Sequence, residues 1–270
     1  MRKTIISLIL ACTAQGVSAQ SEGESFDCVM DPSEIVLVSS PTGGILADVS
    51  VQRGDVVEAG QVLAQLTSDI EEASVALLEA RTSSDAPLQA QLARRDLVQT
   101  RYDRSQELRD RNVISQDQFA EISAELIAAN SLVRQAELDQ VISQQELARA
   151  RAVLDQRTIR SPIDGVVVSR NNDAGEFLAQ DDYVVSVVAL DPLYIEAFLP
   201  IEVYDQVAIG TMGTVEPGAP IGGLYEAEVI AVDQVFDAAS GTFGVRLELP
   251  NPASALPAGQ RCMLSFVSAG

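Results

Sequence analysis

A stretch of 27 residues occurs twice in this chain, and the two copies lie far apart. Residues 40–66 align with residues 161–187 at a constant offset of 121, without a gap. Ser40 and Pro41 face Ser161 and Pro162, Gly44 faces Gly165, Ile45 faces Val166, Gly54 faces Gly175, and Asp55 faces Glu176. Apolar positions continue the match: Val56 and Val57 face Phe177 and Leu178, Val62 and Leu63 face Tyr183 and Val184, and Leu66 faces Val187. Short β-branched runs alternate with Gly and Asp turns, which is a strand pattern. About 27 residues is too little to bury a core alone. The two copies must pair into one small β-sandwich, with residues 68–157 inserted between them.

The insert reads as helix. Residues 115–157 contain no Pro and no Gly. Phe119, Leu126, Val133, Gln140, Leu147 and Leu154 recur every seven residues, with Ile122, Ala129, Ala136, Ser143 and Ala150 between them. That is an a/d heptad seam with small residues at d, where a partner helix can approach closely. Gln140 and Ser143 are polar seam positions that fix register at some cost in stability. These 43 residues span about 64 Å as a helix. Residues 69–112 form an equally long arm rich in Ala, Leu, Gln, Glu and Arg, so the expectation is an antiparallel hairpin turning near Asn112 and Val113. Ser115, with Gln118 three residues on, makes a capping box for the second arm. The first arm is interrupted at residues 82–87, where Ser84 or Asp85 caps a restart with Pro87 in its first turn.

After the second copy comes a β region. Phe243, Val245, Leu247 and Leu249 alternate with Gly244, Arg246 and Glu248, and residues 225–229 behave similarly. Short strands at this spacing predict a small barrel, with one short helix at residues 200–208. The expected fold class is mixed α and β: an elongated chain with a small β-sandwich, which in its Gly54-Asp55 half motif resembles lipoyl/biotinyl domains, split by a long antiparallel α-helical hairpin and followed by a small β-barrel. The divisions are residues 1–19 as a signal peptide, 20–33 as an N-terminal segment, 34–67 and 158–190 as the sandwich halves, 68–157 as the hairpin, 191–266 as the barrel and 267–270 as a tail.

Missing residue types narrow the function. The chain has 18 basic and 39 acidic residues, a formal charge of −21, three Cys, and no His or Trp. Without His there is no Ser-His-Asp or Cys-His catalysis and no His-ligated metal site, so neither an enzyme, a cofactor site nor a metal site is expected. The negative charge argues against nucleic acid and anionic lipid headgroups. At the N-terminus, Arg2 and Lys3 precede an apolar run that ends in the small-residue pattern Val17, Ser18, Ala19, which is the form of a secretory signal. Lys3 is the only lysine, so cleavage there leaves none. A second reading takes residues 9–12 as a lipoprotein box, with a lipid on Cys12. No later run approaches 18 consecutive apolar residues. Cys28 and Cys262 remain near the two ends of an exported chain, either as a disulfide or as two idle thiols.

The order of half-sandwich, helical hairpin, half-sandwich and barrel resembles the periplasmic adaptors (membrane fusion proteins, HlyD-like) of tripartite efflux pumps, especially those serving resistance-nodulation-division (RND) transporters. Three motifs carry the resemblance. One is Pro41, Gly44 and Ile45 followed by Gly54, Asp55, Val57, Gly60, Gln61 and Leu63. Another is the unbroken run from Thr158 through Ser161, Pro162, Asp164 and Gly165 to Val166, where the chain re-enters the sandwich. The third joins Gly241, Thr242, Phe243, Gly244 and Val245 with Asn251 and Pro252, and with Leu256, Pro257, Ala258 and Gly259. The resemblance covers residues 34–266. The Gly-Asp half motif is shared with lipoyl and biotinyl carriers, whose chemistry needs a Lys amine on a turn.

The resemblance implies an outer-membrane channel docking at the hairpin tip through an Arg, Leu and Ser pattern. Arg104, Leu108 and Ser115 fit that spacing, with Asn112, Val113 and Ile114 between them. The family's fourth member is an Asp ten residues beyond the Ser; Glu125 stands there and is carried as a further tip contact. The implied partners are an inner-membrane transporter, an RND pump in first place, and a TolC-type channel, with self-association into a hexameric ring. The implied location is the periplasm, with attachment to the inner membrane through those partners. The family's membrane-proximal domain has only residues 20–33 and 260–270 left to form it, so it is minimal or absent, and a Cys28–Cys262 bridge would tie those ends. An ATP-driven exporter as partner, and a periplasmic scaffold or metal-efflux adaptor, stay open as alternatives.

Overall fold

The computed structural model describes residues 24–266. The proposed signal peptide, Cys12 and residues 267–270 lie outside that range. Twelve strands and three helices follow in the order β1 (Ser25–Val38), β2 (Gly44–Val49), β3 (Val56–Val57), β4 (Val62–Leu66), α1 (Asp69–Thr82), α2 (Ala86–Asp110), α3 (Gln116–Asp155), β5 (Thr158–Arg160), β6 (Gly165–Arg170), β7 (Phe177–Leu178), β8 (Val185–Pro200), β9 (Met212–Pro217), β10 (Tyr225–Val232), β11 (Thr242–Leu249) and β12 (Gln260–Phe266). The described residues divide into two compact units, one of residues 34–189 and one of residues 24–33 with 190–266.

In the first unit the two copies build the sandwich by exchanging strands. Residues of β2 and β4 pair as Leu46 with Leu66, Asp48 with Gln65 and Val49 with Ala64. The second copy pairs Val167 with Val187, Ser169 with Ser186 and Arg170 with Val185, the same register shifted by the repeat offset, bulge included. Each copy's two-residue strand then crosses to the other copy. Val56 and Val57 of β3 pair with Val166 and Gly165 of β6, and Phe177 and Leu178 of β7 pair with Ile45 and Gly44 of β2. Gly54 N–H donates to Val167 O at 2.8 Å, and Gly175 N–H donates to Leu46 O at 2.7 Å. Both glycines sit at positive φ, 96° and 92°, where a Cβ is strained. The shared interior holds Leu46, Val57, Leu63 and Leu66 from one copy and Val167, Leu178, Val184 and Val187 from the other. Neither copy closes a core without its twin.

The insert leaves the sandwich after β4 and returns at β5. Its first arm is two helices, α1 and α2, separated at residues 83–85, where Pro87 lies in the first turn of α2 and Asp85 is its N-cap. Arg151 pairs with Glu79 at 2.6 Å and Arg81 with Glu146 at 3.2 Å; as one number rises the other falls, so α1 and α3 run antiparallel. The inward face of α3 is its heptad face: Ala129, Val133 and Ser143 are buried, and the other seam positions are half-buried.

The second unit is a barrel of six strands in the order β1-β12-β9-β10-β11-β8, with β1 and β8 also paired. Strict alternation places Phe243, Val245, Leu247 and Leu249 in its core with Ile195, Val215, Val229 and Leu264. Residues 201–206 form a 3-10 turn. Asn251 is buried and pins the loop before β12: its Nδ2 donates to Leu190 O at 2.8 Å and Leu256 O at 2.9 Å, while Oδ1 accepts from Leu256 N–H at 2.8 Å.

One division needs correction. Within the proposed N-terminal segment 20–33, residues 25–33 do not stand apart from the barrel, because β1 supplies one of its strands, while residues 20–23 lie outside the described range. Phe26, Cys28 and Met30 point into the barrel core while Ser25, Asp27 and Val29 point out. This partnership joins the first and last strands of the described range, with Ser25 opposite Ser265 and Cys28 opposite Cys262, and no local pattern announces such a pairing. The structure joins Cys28 and Cys262 by a disulfide with the Cα atoms 4.8 Å apart.

Candidate functional site

The turn between α2 and α3 is built entirely from local capping. Asn112 has φ 57°, the left-handed region, and its N–H donates to Arg109 O at 2.8 Å. Val113 N–H reaches back to Leu108 O at 2.9 Å. Those two bonds are the Schellman pattern, with Asn in the position where its side chain tolerates positive φ. Three residues later the chain restarts as helix. Ser115 Oγ accepts from Gln118 N–H and Gln118 Oε1 accepts from Ser115 N–H, both at 3.2 Å, completing the capping box. Opposed caps on both sides make a tight, ordered end.

The six tip residues read from the sequence are distributed as follows. Asn112, Val113 and Ser115 are exposed and Ile114 is half-buried. Leu108 is half-buried on α2 one turn before the cap, and Arg104 is exposed, its side chain making no hydrogen bond or ion pair among the described residues. Glu125 is exposed on α3, about 15 Å along the helix from Ser115. The turn therefore gathers Leu108 and residues 112–115, while Arg104 and Glu125 stand back on separate helices.

Sequence reasoning missed the brace beneath the turn. The Arg109 guanidinium lies over the Phe119 ring, 4.2 Å from its centroid, and Tyr102 packs on the other helix with its ring 5.4 Å from Phe119. Cation–π and aromatic contacts of this kind hold α2 and α3 together where the seam begins. The available signal was the antiparallel register itself, which sets Tyr102 opposite Phe119. A cleft of about 630 Å3 opens beside this brace, lined by Arg109, Asn112, Ile114, Phe119 and Ile127. Chemically, the end of the insert offers cationic donors, exposed aliphatic groups and hydroxyls on a rigid turn, which suits packing against another protein.

The opposite end of the insert is clamped to the sandwich. Arg157, just past α3, donates to Glu71 of α1 at 2.6 Å and to Gly43 O before β2 at 3.2 Å. Its own carbonyl accepts from Leu66 N–H at 2.8 Å. The Arg157 hydrogen bond holds the Glu71 carboxyl below the usual carboxylate range, helped by a backbone hydrogen bond and opposed by desolvation. Both side chains are largely buried, at 21% and 16% exposure, so this pair is shielded more than the surface pairs along the helices.

Among the described residues no group of three or more Cys, Asp or Glu is placed to hold a metal ion, and no helix is long and apolar enough to cross a membrane.

Residues 34–189 match the family model described as a CzcB-like, barrel-sandwich hybrid domain. Among curated relatives, the multidrug resistance protein MdtA of Escherichia coli is 27% identical over 229 residues, covering 82% of this chain and 52% of MdtA. The cobalt-zinc-cadmium resistance protein CzcB of Cupriavidus metallidurans is 24% identical over 217 residues, covering 78% of this chain and 38% of CzcB. The chain spans about half the length of the curated relatives it matches. The crystal structure of MacA from Actinobacillus actinomycetemcomitans superposes with a TM-score of 0.75 at 20% identity, over 92% of this chain and 81% of MacA. A membrane fusion protein from Streptococcus pneumoniae superposes with a TM-score of 0.57 at 16% identity, over 92% of this chain and 100% of that protein. At these identities the two superpositions establish the fold.

Proposed function

The chain belongs to the CzcB-like barrel-sandwich hybrid family, and from that premise we propose that it is a periplasmic adaptor of an efflux system, bridging an inner-membrane transporter and an outer-membrane channel. Its work is packing and docking, without catalysis. The observation that carries this reading is the doubly capped turn at residues 111–115, mounted on paired helices whose other end is clamped by Arg157. A helical hairpin of this build transmits position from the sandwich to a distant contact, which is what a spacer between membranes requires.

In this reading Arg104, Leu108 and residues 112–115 meet a TolC-type channel, with Glu125 as a further contact, and an RND transporter engages the opposite part of the chain. Copies assemble side by side in a ring, six in number by family resemblance. Support for lateral assembly comes from α3. Ile127, Leu138, Ile142 and Val153 are 67%, 57%, 46% and 41% exposed. Spaced 11, 4 and 11 residues apart, they return to one side of the helix, the side away from the heptad face. Arg134 and Arg149 lie on the same side, and among the described residues neither pairs with a carboxylate. The first arm exposes Ile70, Leu77 and Leu97, along with acidic Asp96, Asp103 and Glu107. Two complementary but different faces favour a head-to-tail contact, the kind that closes into rings.

The decisive experiment is export in cells that depend on this protein. Arg104→Asp should abolish resistance while circular dichroism and melting temperature stay unchanged. Full resistance with Arg104→Asp and Leu108→Asp combined would remove the docking role of this turn.

A further inference from the structure

Both outer faces of the sandwich carry exposed apolar side chains. A strand with one solvated face alternates, as β11 does. β6 and β8 do not: Val166, Val167 and Val168 follow one another in the first, and Val187 and Val188 in the second. Val167 and Val187 are paired and face the core, so the neighbouring pair, Val166 and Val188, points outward. Val56 extends that row on β3, opposite Val166, and is 76% exposed. β1 ends beside β8, where Val184 N–H donates to Val38 O at 2.8 Å. Ile35 and Leu37 alternate there with core-facing Val36 and Val38 and are 63% and 56% exposed. The repeat gives the opposite sheet a twin of this face. Phe177 stands where Val56 does and Ile45 where Val166 does; they pair across β7 and β2 and are 66% and 48% exposed. The two sheets share one core, so the twin faces point away from each other.

Charge tells the twin faces apart. Arg53 lies beside Val168 on the first face, exposed and with no ion pair among the described residues, where the other copy has Ala174. Asp48 projects from the second face opposite Gln65, exposed and without a cationic partner among the described residues, where the other copy has Ser169. Asp55 and Glu176 are acidic in both copies, and each is tied into its own turn by the N–H of Gln52 or Asp173. The faces are thus alike in apolar residues and differ by a cation on one and an anion on the other. A contact of one face with its own kind would leave the other open and set like charges together, whereas unlike faces cover both and repeat from copy to copy. We propose that the first face of one chain packs on the second face of the next copy, Val56 against Phe177, with Arg53 set toward Asp48. This contact rests on the side-by-side assembly proposed for the chain and names the sandwich surfaces that meet in it.

Thiol cross-linking reads the contact directly, with the parent chain, whose Cys28 and Cys262 are bonded to each other, as the blank. Val56→Cys chains mixed with Phe177→Cys chains should be joined by a short bismaleimide into covalent dimers, and neither variant alone should be. Both substitutions in one chain should give a ladder of linked chains. Dimers from either variant alone would show a face meeting its own kind, and an oligomeric parent with no linkage in the mixture would put the contact elsewhere; each result overturns the proposal. A monomeric parent in mass photometry would remove side-by-side assembly itself, and this contact with it. Arg53→Glu should weaken association severalfold, and adding Asp48→Arg in the same chain should restore it. Both positions are exposed, so folding is unaffected. Unchanged association in Arg53→Glu, or no recovery in the double variant, would also overturn the pairing of unlike faces.

Discussion

Arg157 and Glu71 show how one pair of side chains fixes an element far longer than either. Arg157 touches the start of α1, the end of α3 and the carbonyl of Gly43, so removing it frees three segments at once. The pair also carries a pH dependence. Glu71 is held below its ordinary range in the folded chain, so its contribution is fully present above the unfolded carboxylate value, about 4.3. It is lost as the pH falls through the lower, folded value. Glu71→Gln should flatten the acid limb of a melting-temperature profile below about pH 5, while leaving an offset at neutral pH; an unchanged acid limb would show the pair contributes nothing. Gly165 gives a second test at this scale. A Cβ there would lie 2.2 Å from Val188 O, a backbone atom that cannot move aside, whereas its twin Gly44 would meet Arg157 Nη1 at 3.1 Å. Gly165→Ala should therefore cost roughly 1–3 kcal/mol in chemical denaturation, and Gly44→Ala distinctly less.

Elements differ in how much of their form is local. The turn at residues 111–115 is legible from Asn112, Ser115 and Gln118, because capping is chemistry between near neighbours in sequence. Asn112→Gly should hold or slightly raise stability, and Asn112→Val should lower it by about 1 kcal/mol or more, since a β-branched residue resists positive φ. Melting curves of the three proteins would rank them. The α3 heptad face is likewise visible in sequence, down to the polar Gln140 and Ser143 that turn out to face the break in the first arm. β1 is the opposite case. Its Cys28 is joined to Cys262 across nearly the whole chain, a sequence separation of 234. The Cys28→Ser, Cys262→Ser double variant should lose roughly 2–5 kcal/mol. Reductant should produce the same loss in the parent chain and none in the variant.

For the whole molecule, the repeat is the governing fact. Matching register, matching bulges and matching glycine turns at a constant offset mean that the sandwich is two copies of one unit that cannot stand alone. Beyond the single chain, the exposed aliphatic line on α3 predicts association. Leu138→Asp with Ile142→Asp should shift the protein from oligomer to monomer in mass photometry while its helical circular dichroism is retained. A monomeric parent chain at micromolar concentration would dismiss lateral assembly through this face.

The sequence alone determined the sandwich, the break at residues 82–87, the inward face of α3 and the capped turn. Each rests on periodicity or on contacts within a few residues. It also pointed to Arg104, Leu108 and Ser115, through spacing and resemblance. Tertiary structure alone decided that residues 25–30 complete the barrel beside β12, that Arg109 covers Phe119 beneath the turn, and that Gln91 Oε1 is left without a partner. Those facts depend on which distant segments meet. A linear pattern records what a residue prefers to bury, and only the folded chain shows what it is buried against.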